Sequence, residues 1–334
     1  MATSSPQGQV LAGREQLAKR PRSAAVDAVR LLGIVAIVVG HTWPGSVETR
    51  RLIGLWQVPA FFVLAGYLWS GGRPFLEDLR HRARALMRPY AFWLVVVAVP
   101  FLAFQLAQHG PVVRLAGALV RGQQLGRPFS AFWFVAALFL SGVALRASQA
   151  LPRAVVWVLA VLGAIATTLW GPQLAATPYS VGMVPIAVLF ALIGQELRAR
   201  RHLVHRTLLV GAVLLAVWLG AVALGVAPLD PKYGVTGTPV LSLLVAVVVS
   251  VGLILVAEGT VPRLPTRAQV WVTSMASVGI VVLLLHAALL WVTDDLLGLP
   301  LVVCFAAALV VPWALGFALA RTPLAPWALG RRRG

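Results

Sequence analysis

Apolar residues fall along this chain in long blocks, parted by short segments rich in Pro, Gly and Arg. Ten blocks have the roughly 17 to 25 residues that a helix rising about 1.5 Å per residue needs to cross about 30 Å of hydrocarbon. They lie near residues 25–43, 52–70, 88–108, 129–145, 154–170, 181–197, 207–226, 238–257, 274–293 and 299–320. The pattern predicts an all-α fold, an integral membrane bundle of about ten transmembrane helices with no soluble domain. The longest connections, Ser70 to Met87 and His109 to Pro128, stay under about 20 residues, too short for a second domain. The blocks show no internal repeat.

Composition fixes the solvent as lipid. Of 334 residues, 60% are hydrophobic and 11% charged, with a mean hydropathy of +0.88; a water-soluble surface does not tolerate such values. The one cysteine, Cys304, sits in an apolar run, which rules out an intrachain disulfide framework and a CxxC metal or redox site. The first 23 residues are basic but lack an apolar core of about 7 to 15 residues, so they do not read as a cleavable signal peptide. The expected organisation is a disordered basic cytoplasmic tail over 1–23, a membrane domain over 24–320 and a second basic cytoplasmic tail over 321–334.

Charge gives the bundle a direction. The chain holds 28 Lys and Arg against 10 Asp and Glu, a formal net charge of +18. With the N-terminus cytoplasmic, the blocks place the basic tails, the run from Arg73 to Arg88 and the arginines near 146–153, 198–206 and 263–267 on one side. Arg50, Arg51, Arg114, Arg121, Arg127 and Lys232 fall on the other, and Arg30 lies inside the first block. This predicts a multi-pass protein of the plasma membrane with both termini cytoplasmic and its basic face against anionic lipid head groups. Nucleic-acid binding is not needed to account for the charge.

An ionisable group within the hydrocarbon costs at least about 2.5 kcal/mol on insertion scales, so the few found there are candidates for function. Most acids fall in loops or at block ends, and Asp294 and Asp295 are expected in a solvated outer loop. Asp27, Arg30 and His41 stand apart in the first block. At about 100° per residue, the steps from Arg30 to His41 add three turns plus about 20°, so the two share a face. Asp27 lies about 40° off that line and three residues from Arg30, the spacing of an ion pair. The stripe is about 16 Å long. Geometry alone leaves a plainer role open, with Asp27 and Arg30 capping the helix and His41 hydrogen-bonding at an interface. His81, His109, His202 and His205 fall in loops, so no metal site is expected.

The residues of this stripe carry a resemblance. Val26-Asp27-Ala28-Val29-Arg30 through Gly40-His41 is similar to the first helix of the acyltransferase-3 family of polytopic membrane acyltransferases, marked by a basic residue, ten residues, then His. Phe61-Phe62-Val63-Leu64-Ala65-Gly66 resembles the family's FFxxSG segment, with Ala65 where Ser is common. Arg80-His81-Arg82-Ala83-Arg84 and Arg88-Pro89-Tyr90 resemble the basic run and Pro-Tyr that open its third span. Phe132-Trp133-Phe134-Val135 is similar to a WFL segment, Gly194 to a glycine ending the sixth span, and Leu284-Leu285-His286 to a late YLLH. Leu283 stands in place of the tyrosine, and Gly279 where a serine is common. The order holds over residues 24 to 320, and the sugar O-acetylase branch is the most similar.

The resemblance implies an O-acyltransferase, with acyl-CoA (acetyl-CoA) as donor substrate, no bound cofactor, and a carbohydrate or glycoside acceptor of the cell envelope. Taking a proton from the acceptor hydroxyl suits histidine near neutral pH. His41 is then the base or a covalent acyl relay, both of which stay open. Arg30, with Arg82, Arg84 and Arg88, would meet the phosphates of CoA, and Asp27 would orient Arg30. Trp133 and Phe61 would pack beside the substrates, and His286 would be a second polar group of the site. For Trp133 and His286 a core role, and for the arginine cluster lipid contact, remain the plain alternatives. Two other classes are a polytopic exporter without acyl-transfer chemistry and a structural partner in an envelope complex. The missing repeat and the placement of Glu196 and Glu258 at block ends argue against the exporter.

Overall fold

The structure, a computed structural model, describes residues 23–108 and 126–331. Among them the chain is helical, with no strand beyond a single antiparallel bridge between Asp230 and Val235. Each of the ten apolar blocks carries a helix. Eight helical runs are long and apolar enough to cross a membrane, and Thr207–Ala223 is a shorter apolar helix of 17 residues. His109, Arg114, Arg121, most of the expected 109–128 connection and the N-terminal tail before Ser23 lie outside the described residues, as do residues 332–334.

Helix α1 (Ala24–Thr42) begins where the Ser23 side chain accepts the Val26 N–H. Next come α2 (Val47–Ile53) and α3 (Pro59–Tyr67). The second block is therefore broken, not a continuous 52–70 span. Turns fill residues 54–58 between the two helices, and Pro59, lacking an N–H, suits the first position of a helix and not the interior of one.

The expected Ser70–Met87 loop is instead helical from Phe75. Helix α4 (Phe75–Arg82) has Glu77 and Asp78 in its first turn and Arg80, His81 and Arg82 in its last, the charge order its dipole favours. It runs through a wider turn, Ala83–Met87, into α5 (Arg88–Ala107). His81 is thus a helical residue. The bundle continues with α6 (Phe132–Ala147), α7 (Arg153–Ala175), α8 (Val184–Arg200), α9 (Thr207–Ala223) and α10 (Leu241–Thr260). It closes with α11 (Thr266–Leu290), α12 (Leu301–Ala320) and the short α13 (Ala325–Ala328). Because α11 starts at Thr266, well before the expected 274, His286 lies near its end and not in its middle.

Packing follows from small residues and apolar rims. Helix α1 is enclosed by α3, α10, α11 and α12. Nearly all of α3 is buried, and it crosses α8 at two glycines. A Cβ on Gly66 would lie 1.7 Å from the Ala191 carbonyl oxygen, and one on Gly194 would lie 2.0 Å from that of Val63. Only glycine allows backbones this close. On the outside, α7, α9 and α12 present large apolar side chains such as Leu162, Leu169, Val213 and Val302, which suits a lipid solvent.

Candidate functional site

Helices α1 and α11 pack so that two histidines 245 residues apart meet: His286 Nε2 is 3.0 Å from His41 Nδ1. Each ring is also tied to its own helix. His286 Nδ1 lies 2.9 Å from the Val282 carbonyl oxygen and His41 Nδ1 lies 3.1 Å from that of Ile37. A carbonyl oxygen can only accept, so His286 Nδ1 must carry a hydrogen, and in the neutral ring its Nε2 is an acceptor. His41 Nδ1–H is then the donor shared by Ile37 and His286. That assignment leaves His41 Nε2 with a lone pair. A buried histidine thus holds a second one in the tautomer a base requires.

His41 lines a cavity of about 690 Å³ at its end of the bundle. Gln57 and Arg50 reach the cavity from α2 and the turn after it, Arg127 and Ser130 from the turn before α6, and Trp133 and Phe134 from α6. Leu283 adds an apolar patch. Residues 228–233 and Val235 complete the wall.

That last segment is a hairpin. Asp230 and Val235 exchange backbone hydrogen bonds of 2.9 and 3.0 Å, and Ser242 donates to the Ala227 carbonyl at 2.6 Å. Gly234 sits at φ +72°, and a Cβ there would lie 2.0 Å from the carbonyl oxygen of Gly171 in α7. Gly171 follows Trp170, whose dihedrals leave the helical range one residue before, with Pro172 one residue after.

Arg127 locks the end of α1. Its guanidinium donates to the His41 carbonyl at 2.6 Å and to Asp294 and Asp295 at 2.7 and 2.8 Å. The two acids are therefore not simply solvated; they belong to a turn (Trp291–Leu296) that continues α11 and orient the cation capping an orphan carbonyl of α1.

The Arg30 end of α1 is polar in another way. Arg30 Nη1 is 3.0 Å from the buried Asp27 carboxylate. Nearby, where α3, α8 and α10 end, Glu258 accepts from both Tyr67 and Arg201. Arg82 donates to buried Asp78 at 2.6 Å and stacks 4.5 Å above the Trp69 ring, and Arg88 lies over Trp327 at 5.3 Å. Phe61 packs edge-on against Phe134 and onto Gly33 of α1, so it stands between the two ends and off the cavity wall. Trp133, buried, is on that wall. Gly279 meets Ile34, and a serine there would press on that side chain.

Of the expected site residues, the structure brings His41, His286 and Trp133 together at one end, and Asp27 and Arg30 at the other. Arg127, Lys232, Gln57, Ser130 and Asp230 were not singled out by the sequence as site residues. The first two counted only toward topology, and the signal for them was a cation beside a Gly/Pro turn at a block end.

Burial pulls the ammonium of Lys232 down to about 8, against the opposing pull of Asp230, whose own carboxyl is pushed up by burial. A lysine held below its unfolded value binds fewer protons folded than unfolded between about 8 and 10.5, so stability rises with pH across that window. Thermal unfolding in detergent is expected to show that rise in the native protein and to lose it in Lys232→Met. An unchanged slope in the variant would count against the assignment.

A family model for an acyltransferase domain matches residues 23–320, nearly the whole chain. No curated protein and no solved structure matches it.

Proposed function

The chain belongs to the acyltransferase-3 family of polytopic membrane acyltransferases, and from that premise we propose that it moves an acyl group, acetyl above all, from cytoplasmic acyl-CoA to a hydroxyl of a cell-envelope glycan, glycolipid or glycoside. One observation carries the reading: His41 lines a large cavity and its Nδ1 is engaged by His286, the arrangement that leaves the lone pair on Nε2. About 690 Å³ is within the range of sites for small organic ligands and suits a mono- or disaccharide unit.

His41 Nε2 takes the proton of the acceptor hydroxyl as its oxygen attacks the thioester carbonyl. The carbon–oxygen bond forms, the carbon–sulfur bond breaks, and the departing CoA thiolate recovers the proton from the imidazolium. His286 Nε2 accepts from the Nδ1–H of that imidazolium and steadies it, the part played by the third member of a triad. Arg30, oriented by Asp27, meets the CoA phosphates together with Arg82, Arg84 and Arg88. Phe61, between Arg30 and His41, flanks the donor arm on its way along α1. The lysine and arginine bias supports a plasma-membrane protein with the Arg30 end cytoplasmic and the cavity facing outward. Lipid head groups would surround the basic rim.

The test is release of CoA by purified protein given acetyl-CoA and a panel of glycoside acceptors, with the acylated product identified by mass. No product with any acceptor from a folded, acetyl-CoA-binding protein would overturn the reading. His286→Ala is expected to lower kcat by about 10- to 100-fold with little change in the KM for acetyl-CoA. His286→Gln, which keeps an acceptor for the His41 Nδ1–H, recovers part of the loss. Equal activity of the two variants would remove His286 from its positioning role.

A further inference from the structure

Two side chains on the His41 cavity carry polar atoms that nothing in the protein satisfies. Ser130 Oγ and Gln57 Oε1 are buried, and neither has a hydrogen-bond partner among the described residues. Ser130 is only 5% exposed. Burying a hydroxyl or amide oxygen unpaired costs about 1 to 3 kcal/mol, so such groups call for an explanation. Here both residues line the same cavity as His41. The Gln57 amide packs on Gly40, the neighbour of His41, where a Cβ would lie 3.1 Å from its Oε1. Ser130 follows by three residues Arg127, which is bound to the His41 carbonyl. The base and the two unsatisfied groups thus meet where α1, the turn before α3 and the turn before α6 come together.

We infer that Gln57 and Ser130 are acceptor-binding residues that recognise hydroxyls neighbouring the one His41 deprotonates, so that the cavity selects a polyol and fixes which of its hydroxyls is acylated. Gln57 Oε1 can only accept and so asks for a hydroxyl donor. Ser130 can accept or donate. A simple fatty alcohol would leave both unsatisfied and be rejected, whereas a sugar ring offers adjacent hydroxyls to both. This rests on the function proposed above, but its test separates the two.

Purified protein, with and without a panel of methyl hexopyranosides, is followed by thermal unfolding and by acetyl transfer from acetyl-CoA, for the native chain and for Gln57→Leu and Ser130→Ala. Without sugar, Ser130→Ala is expected to match or exceed the native unfolding temperature, because it deletes an unpaired buried hydroxyl; a purely structural serine would give a fall. With sugar, each variant loses stabilisation and raises the acceptor KM by about three- to ten-fold, the worth of one neutral hydrogen bond, with the KM for acetyl-CoA unchanged. Product from either variant carries the acetyl group at more than one position. Native binding with unaltered sugar KM and unaltered regiochemistry in both variants overturns the inference and leaves the transferase reading standing. Sugar binding that the variants weaken, without transfer by the native protein, overturns the transferase reading and leaves this one. Failure of every polyol to bind overturns the inference.

Discussion

Replacing His41 by alanine is expected to lower kcat for acyl transfer by about 10²- to 10⁴-fold, the range for loss of a general base. Acetyl-CoA should still bind, since Arg30 and the arginines proposed to hold it are untouched. The alanine variant also strands His286 Nε2, which has its partner in His41, so a second variant keeps the result clean. His41→Asn retains an N–H near the position of Nδ1 for Ile37 and His286 while removing the base. It should fold like the native chain and be as inactive as the alanine variant. Turnover near the native rate in either would remove His41 from the chemistry. Rapid quenching with labelled acetyl-CoA and no acceptor adds one distinction: label retained on His41 would replace base catalysis by an acyl-histidine relay.

The second large effect is on folding. Gly66→Ala and Gly194→Ala each insert a methyl group where backbone already stands at 1.7 and 2.0 Å. The neighbours are carbonyl oxygens, not the ends of flexible side chains, so α3 and α8 must separate. The expected cost is at least about 3 kcal/mol, at or beyond the usual range for overpacking, and Gly66→Val should yield no monodisperse protein in detergent. Gly220 supplies the control. A Cβ there meets nothing within 4 Å, so Gly220→Ala should be neutral or slightly stabilising through helix propensity. A native-like unfolding temperature for Gly66→Ala would show that α3 and α8 cross less closely than 1.7 Å at that Cβ position implies.

Much of this architecture was legible because a bilayer enforces a simple rule on sequence. Runs such as Leu301–Ala320 and Leu241–Thr260 must be long and apolar to cross, and their ends fall within three residues of the expected blocks. The rule failed where helices are short or polar. It saw one span at 52–70 because Leu52 to Trp69 is apolar but for Gln57, although Pro59 divides it. It saw a loop over 75–87 because arginines and acids conceal a helix that hydropathy does not register. In the site, helical periodicity put Arg30 and His41 on one face, a local relation. The contact of His41 with His286 is a packing relation between distant segments, and no spacing in one sequence encodes it. Likewise Arg127 looked like a topological charge, because its three acceptors lie on α1 and beyond the end of α11.

The hairpin over residues 227–240 meets α7 backbone to backbone where Gly234 lies against Gly171. That contact is made without the side chains of Pro231, Lys232 or Tyr233. Changes at Lys232 and Tyr233 leave it in place, whereas a Cβ at Gly171 or Gly234 would lie 1.8 or 2.0 Å from the other's carbonyl oxygen. Under the function proposed above, such a division separates variation in acceptor choice, at the hairpin tip, from variation in the His41–His286 pair.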